Sequence, residues 1–348
     1  MATLKQIAQE AGCSVGVASV VLNQSQGNIG VSAAMRRRVE RAAEKLGYAG
    51  NFAASALKRQ STRTLGLYVA PRPGGGLGAG SFEDRMLHGI EQACVANEYD
   101  LLIVNMSVER DPEVCVRLIR QGRVDGIIVM DPGRNLRTKY PMAELSGRVV
   151  FLGAGMPASV APRFAFDNHA AMALTVAHLR ALGHRRIAFV GQLHDPLADC
   201  LEREQGFRSA IEQTGLPANP EWVLDHGDLL QPAFSDVMGA PAHCRPTALI
   251  ALNDIAAAIA CRELRKLGLH VPGQISVIGV DDSTICEFTS PSLTSIRHPL
   301  EDMGRDATEH LIAGLGKAAD ARAVKGRFPP VLVERESTGP APDEKTTE

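Results

Sequence analysis

The sequence predicts a small all-α head joined to a much larger α/β body of two lobes, and three observations carry that prediction. Residues 1–63 show helical periodicity and no strand pattern. From Leu65 onward, unbroken apolar runs alternate with amphipathic helical stretches. Charge divides at the same place: residues 1–63 carry nine Lys/Arg against three Glu, a net of +6, while the 348-residue chain totals −2, which leaves −8 on the remainder. That length fits two or three folding units, and a hydrophobic content of 45% suffices for a buried core.

In the head, Leu4, Ile7, Ala8 and Ala11 repeat at i, i+3, i+4 and i+7, one apolar helical face. Thr3 and Gln6 form a capping box at its start. Gly12 permits a tight turn, and Ser14 caps a second helix that runs to Leu22. A third helix fits residues 32–46: Met35, Val39, Ala42 and Leu46 make its stripe, Ser32 its cap and Gly47 its stop. After a break at 48–51, NFAASAL (51–57) is helix-prone but too short to be stable alone. Residues 60–64 read as a polar linker. Two short helices across a tight turn, with Arg36, Arg37, Arg38 and Arg41 nearby, predict a helix-turn-helix head that meets a polyanion.

In the body, strands are expected at 65–70, 101–106, 126–130 and 149–153, then at 187–191, 248–252 and 275–280. Helices are expected at about 82–97, 111–121, 169–182, 197–214, 255–267 and 300–313. Unbroken apolar strands with intervening helices imply parallel sheets covered on both faces. Two such series predict two lobes with a cleft between them, and ligands of open α/β sheets bind beyond the carboxyl ends of the strands. The Pro- and charge-rich end, 339–348, is expected to be a disordered tail.

Several function classes are disfavoured. One Trp and four Tyr offer little for stacking single-stranded bases. Seven cysteines lie scattered without a CxxC or Cys/His ligand spacing, as in a reduced cytosolic protein with no metal site. The N-terminus does not read as a signal peptide, and no run approaches the roughly 20 apolar residues a bilayer requires, so a cytoplasmic chain without membrane contact is expected. GGGLGA (74–79), with Asp100 further on, loosely fits a dinucleotide fingerprint. Pro71 and Pro73 separate those glycines from the strand, so an NAD-dependent oxidoreductase is a weak alternative. The chain lacks a GK[ST] loop, a GxSxG elbow and a catalytic His/Asp/Glu cluster. No enzyme, catalytic residue or cofactor is expected.

With these elements in place, the chain resembles the lac repressor/galactose repressor (LacI/GalR) family of bacterial transcription regulators. The carrying segments are TLKQIAQEAGCSVGVASVVLN, VSAAMRRRVERAAEKLGY, NFAASAL, RVDGIIV, FDN, HLRALGHRRIAFVG, REQGFRSA, RPTALIALND, LGLHVPGQISVIGVDD, PSLTSIRHPLEDMG and VERESTG. The resemblance implies a DNA-binding domain at 1–49, a hinge helix and linker at 50–63, and a two-lobed periplasmic-binding-protein-like body at 64–338. The lobes would cross over near 165–168, 290–298 and 318–330. It also implies a homodimer on a palindromic double-stranded operator, repressor action, and control by a small hydrophilic effector, a sugar or sugar derivative. A solute-binding protein with no DNA role is the other alternative, and the head argues against it.

Residue by residue, the resemblance implies DNA contact at Thr3, Leu4, Ser14, Val15, Gly16, Ser19, Val20, Asn23, Asn51, Ala54 and Leu57. Thr3, Ser14, Ser19 and Asn23 match phosphate-bonding positions, which fix register and carry no sequence information. Val15, Gly16 and Val20 stand where the family places its base-reading side chains. Valine has no counterpart to the two hydrogen bonds an Arg makes to guanine, although it can touch a thymine methyl. Leu57 matches the hinge leucine that wedges into the minor groove and kinks the duplex; its alternative is a linker residue packed on its own body. In the cleft, the resemblance implies effector contacts from Phe82, Asp167, Arg203, Asn253 and Asp281. As alternatives, Asp281 and Asp282 could cap the following turn, Asp167 could brace the crossover, and Arg203 could sit on a helix surface. Gly153 replaces a carboxylate found in several sugar-binding members, which leaves an acidic, a phosphorylated or a bulkier ligand open.

Overall fold

The computed structural model describes residues 2–22, 30–48, 56, 59–69, 82–104, 113–130, 145, 147–155, 161–194, 198–315 and 325–342. They form two compact units, 1–64 with 122–125, and 65–121 with 126–348.

The first unit holds helices α1 (Leu4–Ala11), α2 (Val15–Leu22) and α3 (Ala33–Lys45). Ile7, Ala8, Ala11, Ala18, Val21, Val39, Ala42 and Ala43 are its buried core. The capping box is formed: the Thr3 hydroxyl accepts from the Gln6 N–H while the Gln6 amide oxygen accepts from the Thr3 N–H. Ser14 and Ser32 accept from the Val17 and Met35 N–H groups. Gly12 adopts φ +62°, a left-handed backbone that favours glycine, and a Cβ there would push aside the Arg38 guanidinium, 2.7 Å away.

The second unit carries two six-stranded sheets. The first contains β1 (Thr64–Val69), β2 (Asp100–Ile103), β3 (Gly126–Met130), β4 (Val149–Leu152), β5 (Arg163–Phe166) and β11 (Lys325–Phe328), in the order β11-β5-β4-β3-β1-β2. The second contains β6 (Ile187–Gly191), β7 (Val223–Asp225), β8 (Ala248–Ala251), β9 (Ser276–Asp281), β10 (Thr294–Arg297) and β12 (Val331–Val333), in the order β12-β10-β9-β8-β6-β7. β12 runs antiparallel to β10, whereas β9, β8, β6 and β7 pair in parallel. The first lobe includes helices α4 (Phe82–Ala96), α5 (Glu113–Arg120) and α11 (Leu300–Gly314). The second includes α6 (Asn168–Ala181), α7 (Ala198–Thr214), α8 (Pro232–Met238), α9 (Asp254–Lys266) and α10 (Ile285–Phe288). The chain passes between sheets at Asp167, at residues 298–299 and at residues 329–330. Residues 294–297 are therefore strand in the second sheet and not part of a 290–298 connection.

Five short strands, β5, β7, β10, β11 and β12, escape the sequence reading, as do α8 and α10. β10 shows why. Its sequence, TSIR, lacks an apolar run, yet Thr294 and Ser295 are fully buried. Tertiary partners satisfy them: the Thr294 N–H donates to the Ser337 hydroxyl and the Ser295 hydroxyl donates to Asp254.

The expectation of a disordered tail from 339 is corrected for residues 339–342. The Gly339 carbonyl lies 3.0 Å from His184 Nε2, and the Ala341 N–H donates to the Leu182 carbonyl at 2.8 Å. His184 is fully buried and also meets Thr247 and Ser276 hydroxyls at 3.0 Å each. Burial lowers its pKa below 6.5, opposed by the Gly339 carbonyl and aided by nearby His178. Hydrogen bonds from its backbone to Leu182, His184 and Ser276 hold this segment where its Pro-rich composition suggested none.

Helices α4 and α11 meet through two glycines. A Cβ on Gly89 would sit 1.9 Å from the Glu301 carbonyl oxygen, and one on Gly304 would sit 2.3 Å from the Met86 carbonyl oxygen. Gly304→Ala should therefore destabilise the protein by about 1–3 kcal/mol, the usual cost of overpacking, seen as a lower urea midpoint with unchanged slope. His184 makes a second, pH-dependent prediction. The folded state keeps this histidine neutral, so below about pH 6.5 the unfolded chain binds the extra proton and stability is lost as pH falls. The loss between pH 7.5 and 5.5 should be smaller in His184→Gln than in the native chain.

Candidate DNA-reading surface and inter-lobe site

On α2, Ala18 and Val21 face the core, while Val15 and Gly16 are exposed and Ser19 and Val20 half-buried. Positions 15, 16, 19 and 20 share one helical face. That face offers methyl groups, one hydroxyl and an open backbone, and no long polar side chain. Thr3 and Ser14 are exposed beside it, and Leu4 is half-buried. Lys5, Arg36, Arg37, Arg38 and Arg41 are exposed on the same unit. Asn23, Asn51, Ala54 and Leu57 lie outside the described residues. The polar linker is more fixed than its composition suggests. The Asp125 carboxylate accepts from the Ser61 hydroxyl at 2.5 Å, the Thr62 N–H at 2.7 Å, the Thr62 hydroxyl at 2.9 Å and the Arg63 N–H at 3.0 Å. Asp125 belongs to the RVDGIIV segment, where sequence reasoning saw only a strand.

In the second unit, a polar network gathers at the carboxyl ends of strands from both sheets. Arg203, on α7 after β6, is 4% exposed. Its Nε donates to the Asn168 side-chain oxygen at 2.9 Å, one terminal nitrogen donates to the Leu252 carbonyl, and the other lies 3.5 Å from the Asp281 carboxylate. The Asn168 amide in turn donates to Asp199 at 2.8 Å and to Glu202 at 3.2 Å. Hydrogen bonds join the lobes here: the Ala154 N–H, just past β4, donates to Asp199 at 2.9 Å, and Arg85 of α4 donates to the Asp281 carbonyl at 2.7 Å and to the Asp282 carbonyl at 3.4 Å.

Asp281 ends β9 with φ +113° and Asp282 follows with φ +49°, a backbone that non-glycine residues rarely adopt. Arg297 and Arg335 hold the Asp282 carboxylate at 2.8 and 2.7 Å. Those ion pairs keep it below the usual carboxylate range against the opposing effect of burial. Burial, reinforced by the Asp281 charge, raises the neighbouring Asp254 to about 6. Burial also raises Glu202, which the Asn168 amide opposes.

An apolar wall completes the network. His298 is fully buried, stacked on Phe166 with centroids 4.1 Å apart and edge-on to Phe82 at 5.3 Å. Its Nδ1 lies 3.3 Å from the Asp281 carboxylate. Of the five cleft residues expected, the structure thus brings Phe82, Arg203 and Asp281 into one connected cluster. Asp167 and Asn253 stand at the adjoining helix starts, where their side chains accept from the Ala170 and Ala256 N–H groups as caps. Asn168, Asp199, Glu202 and His298 were missed. The available signal was positional: each falls at or just beyond the carboxyl end of a strand, or within one turn of Arg203 on its helix.

Among the described residues, no group of His, Cys, Asp and Glu is arranged to hold a metal ion, and no helix is long and apolar enough to cross a membrane. A cavity of about 540 Å³ lies elsewhere in the second lobe, lined by Cys261, Arg265, His270, Pro272 and Glu336. It includes none of the inter-lobe residues.

A helix-turn-helix head followed by a two-lobed α/β body with a polar inter-lobe site defines a DNA-binding regulator controlled by a small molecule. Residues 3–51 match the model of the bacterial regulatory proteins of the lacI family, and residues 176–338 match that of a periplasmic binding protein-like domain. The chain is 31% identical over 340 residues to the HTH-type transcriptional repressor PurR of Aliivibrio fischeri (strain MJ11), covering 95% of this chain and 97% of that one. It is 29% identical over 343 residues to PurR of Vibrio cholerae serotype O1 (strain M66-2), covering 97% and 98%. A transcriptional regulator CelR–cellobiose complex aligns with a TM-score of 0.69 at 27% identity, over 97% of this chain and 100% of that one. The lac repressor dimer bound to operator and the anti-inducer ONPF aligns with a TM-score of 0.80 at 23% identity, over 97% and 99%, a likeness of fold. The chain belongs to the lacI family of bacterial regulatory proteins.

Proposed function

We propose that this chain is a dimeric, cytoplasmic transcriptional repressor without enzymatic activity. Its head grips a palindromic operator, and a small hydrophilic effector, a sugar or sugar derivative, binds between the lobes and sets operator affinity. One observation carries the effector half: the Arg203–Asn168–Asp281 network at the strand ends, walled by aromatic rings. The relatives support the rest, since the PurR chains are named repressors and the CelR structure holds cellobiose. The proposed DNA contacts are Thr3, Leu4, Ser14, Val15, Gly16, Ser19, Val20, Asn23, Asn51, Ala54 and Leu57. The proposed effector contacts are Phe82, Asp167, Arg203, Asn253 and Asp281.

The proposed dimer has a candidate face. Leu230, Ile255 and Phe288 are 62%, 60% and 85% exposed. They lie on the 3-10 helix His226–Leu230, on α9 and on α10, three elements that pack side by side. Exposed large apolar side chains gathered on neighbouring elements mark an interaction surface. Phe288→Asp should convert dimer to monomer in sedimentation and weaken operator binding accordingly, while a dimer that persists would move the interface elsewhere.

Operators selected from random duplex DNA with the full chain test the DNA half. Affinity for the selected site should fall by about 10³-fold or more between 50 and 200 mM salt, as released counterions dictate for six or more phosphate contacts. A flat salt response would contradict the DNA role.

A further inference from the structure

We infer that His298 is a specificity-determining residue of the inter-lobe site, and that its Nε2 accepts a hydrogen bond from a hydroxyl or N–H group of an uncharged effector. The inference rests on the inter-lobe effector reading and adds to it a residue and a ligand class.

The His298 side chain is fully buried, and its Nε2 has no hydrogen-bond partner among the described residues. Such an atom costs stability unless something occupies it. The tautomer follows from the surroundings. Asp281 lies 3.3 Å from Nδ1, and a carboxylate accepts, so the ring proton belongs on Nδ1. Nε2 is then a bare lone pair, able to accept and unable to donate. Burial lowers the pKa of the ring more than Asp281 raises it, which keeps it neutral. Phe166 and Phe82 fix the ring plane, so the lone pair has one direction.

The neighbours share this polarity. Asp199, Glu202 and Asp281 surround the same network as acceptors, and of the five N–H groups a guanidinium carries, those of the buried Arg203 already meet Asn168, Leu252 and Asp281 through three contacts. A ligand entering here meets acceptors with capacity to spare and a donor already engaged. A neutral polyol or an N–H-bearing ring complements that pattern; a phosphate or carboxylate would bring oxygen against oxygen. This turns the Gly153 question toward a bulkier neutral ligand and away from an anionic one.

Two substitutions separate recognition from support. The end of an asparagine side chain falls near imidazole Nδ1, and that of glutamine near Nε2. His298→Asn keeps the Asp281 contact and removes the acceptor; His298→Gln does the reverse. The full chain is screened by thermal shift against cellobiose, neutral pentoses and hexoses and nucleobases, with glucose 6-phosphate and glucuronate as anionic members. The best probe is then titrated against both variants and Arg203→Ala by calorimetry, with melting curves to show that each folds. The expected result is a neutral best probe, with binding weakened at least about tenfold, the scale of one lost hydrogen bond to a buried group, in His298→Asn and by no more than a few-fold in His298→Gln. An anionic best probe, no shift with any neutral member, or the opposite order of the two variants would overturn the assignment. If Arg203→Ala also binds the probe as the native chain does, the inter-lobe site itself is wrong; if it loses the probe while His298→Asn does not, only the role of His298 fails.

Discussion

A buried guanidinium organises the body of this protein. Arg203 reaches from its helix to the segment after β5, to the carbonyl after β8 and to the carboxylate ending β9. A charge held out of water persists only when it is paired and fully hydrogen-bonded, so those three segments must keep their positions together. Asn168, held by Arg203, presents its amide to Asp199 and Glu202. Asp199 then receives the Ala154 N–H from the other lobe. Asp281, held on one side by Arg203, orients His298 on the other, and the ring stacks on Phe166. One ion thus ties together a site assembled from both sheets.

The head follows a different logic. Its core is small and aliphatic, its caps are satisfied and its turn takes a left-handed backbone that favours glycine. Its outward face is poor in hydrogen-bonding side chains. Phosphate contacts and charge would supply affinity, and methyl contacts together with DNA deformability would supply most of the selection. The Asp125 carboxylate holds Ser61, Thr62 and Arg63 of the linker through hydrogen bonds within the same unit.

Much of the fold was legible because periodicity reports burial. The unbroken apolar runs at 126–130, 149–152 and 187–191 became fully buried central strands, and the capping residues Thr3, Ser14 and Ser32 act as their positions imply. What escaped depends on contacts remote in sequence. Thr294 and Ser295 read as polar linker until Ser337 and Asp254 are brought beside them, and residues 339–342 read as tail until His184 and Leu182 are. In the site, Arg203, Asp281 and Phe82 were recoverable by resemblance. Asn168, Asp199, Glu202 and His298 were not, since their importance comes from an Arg and two Phe that only the fold assembles. Asp167 and Asn253 act as helix caps.

The central claim is that DNA and a small molecule bind separate parts of one chain and influence each other. Linkage requires that influence to be reciprocal: the factor by which the small molecule changes operator affinity must equal the factor by which the operator changes small-molecule affinity. The decisive measurement determines both factors on the full chain, with the operator selected from random DNA and the best-binding neutral molecule from the thermal-shift panel. We expect equal factors of about 5–150, the range typical of allosteric coupling. An operator affinity that stays the same at saturating small molecule would contradict the account.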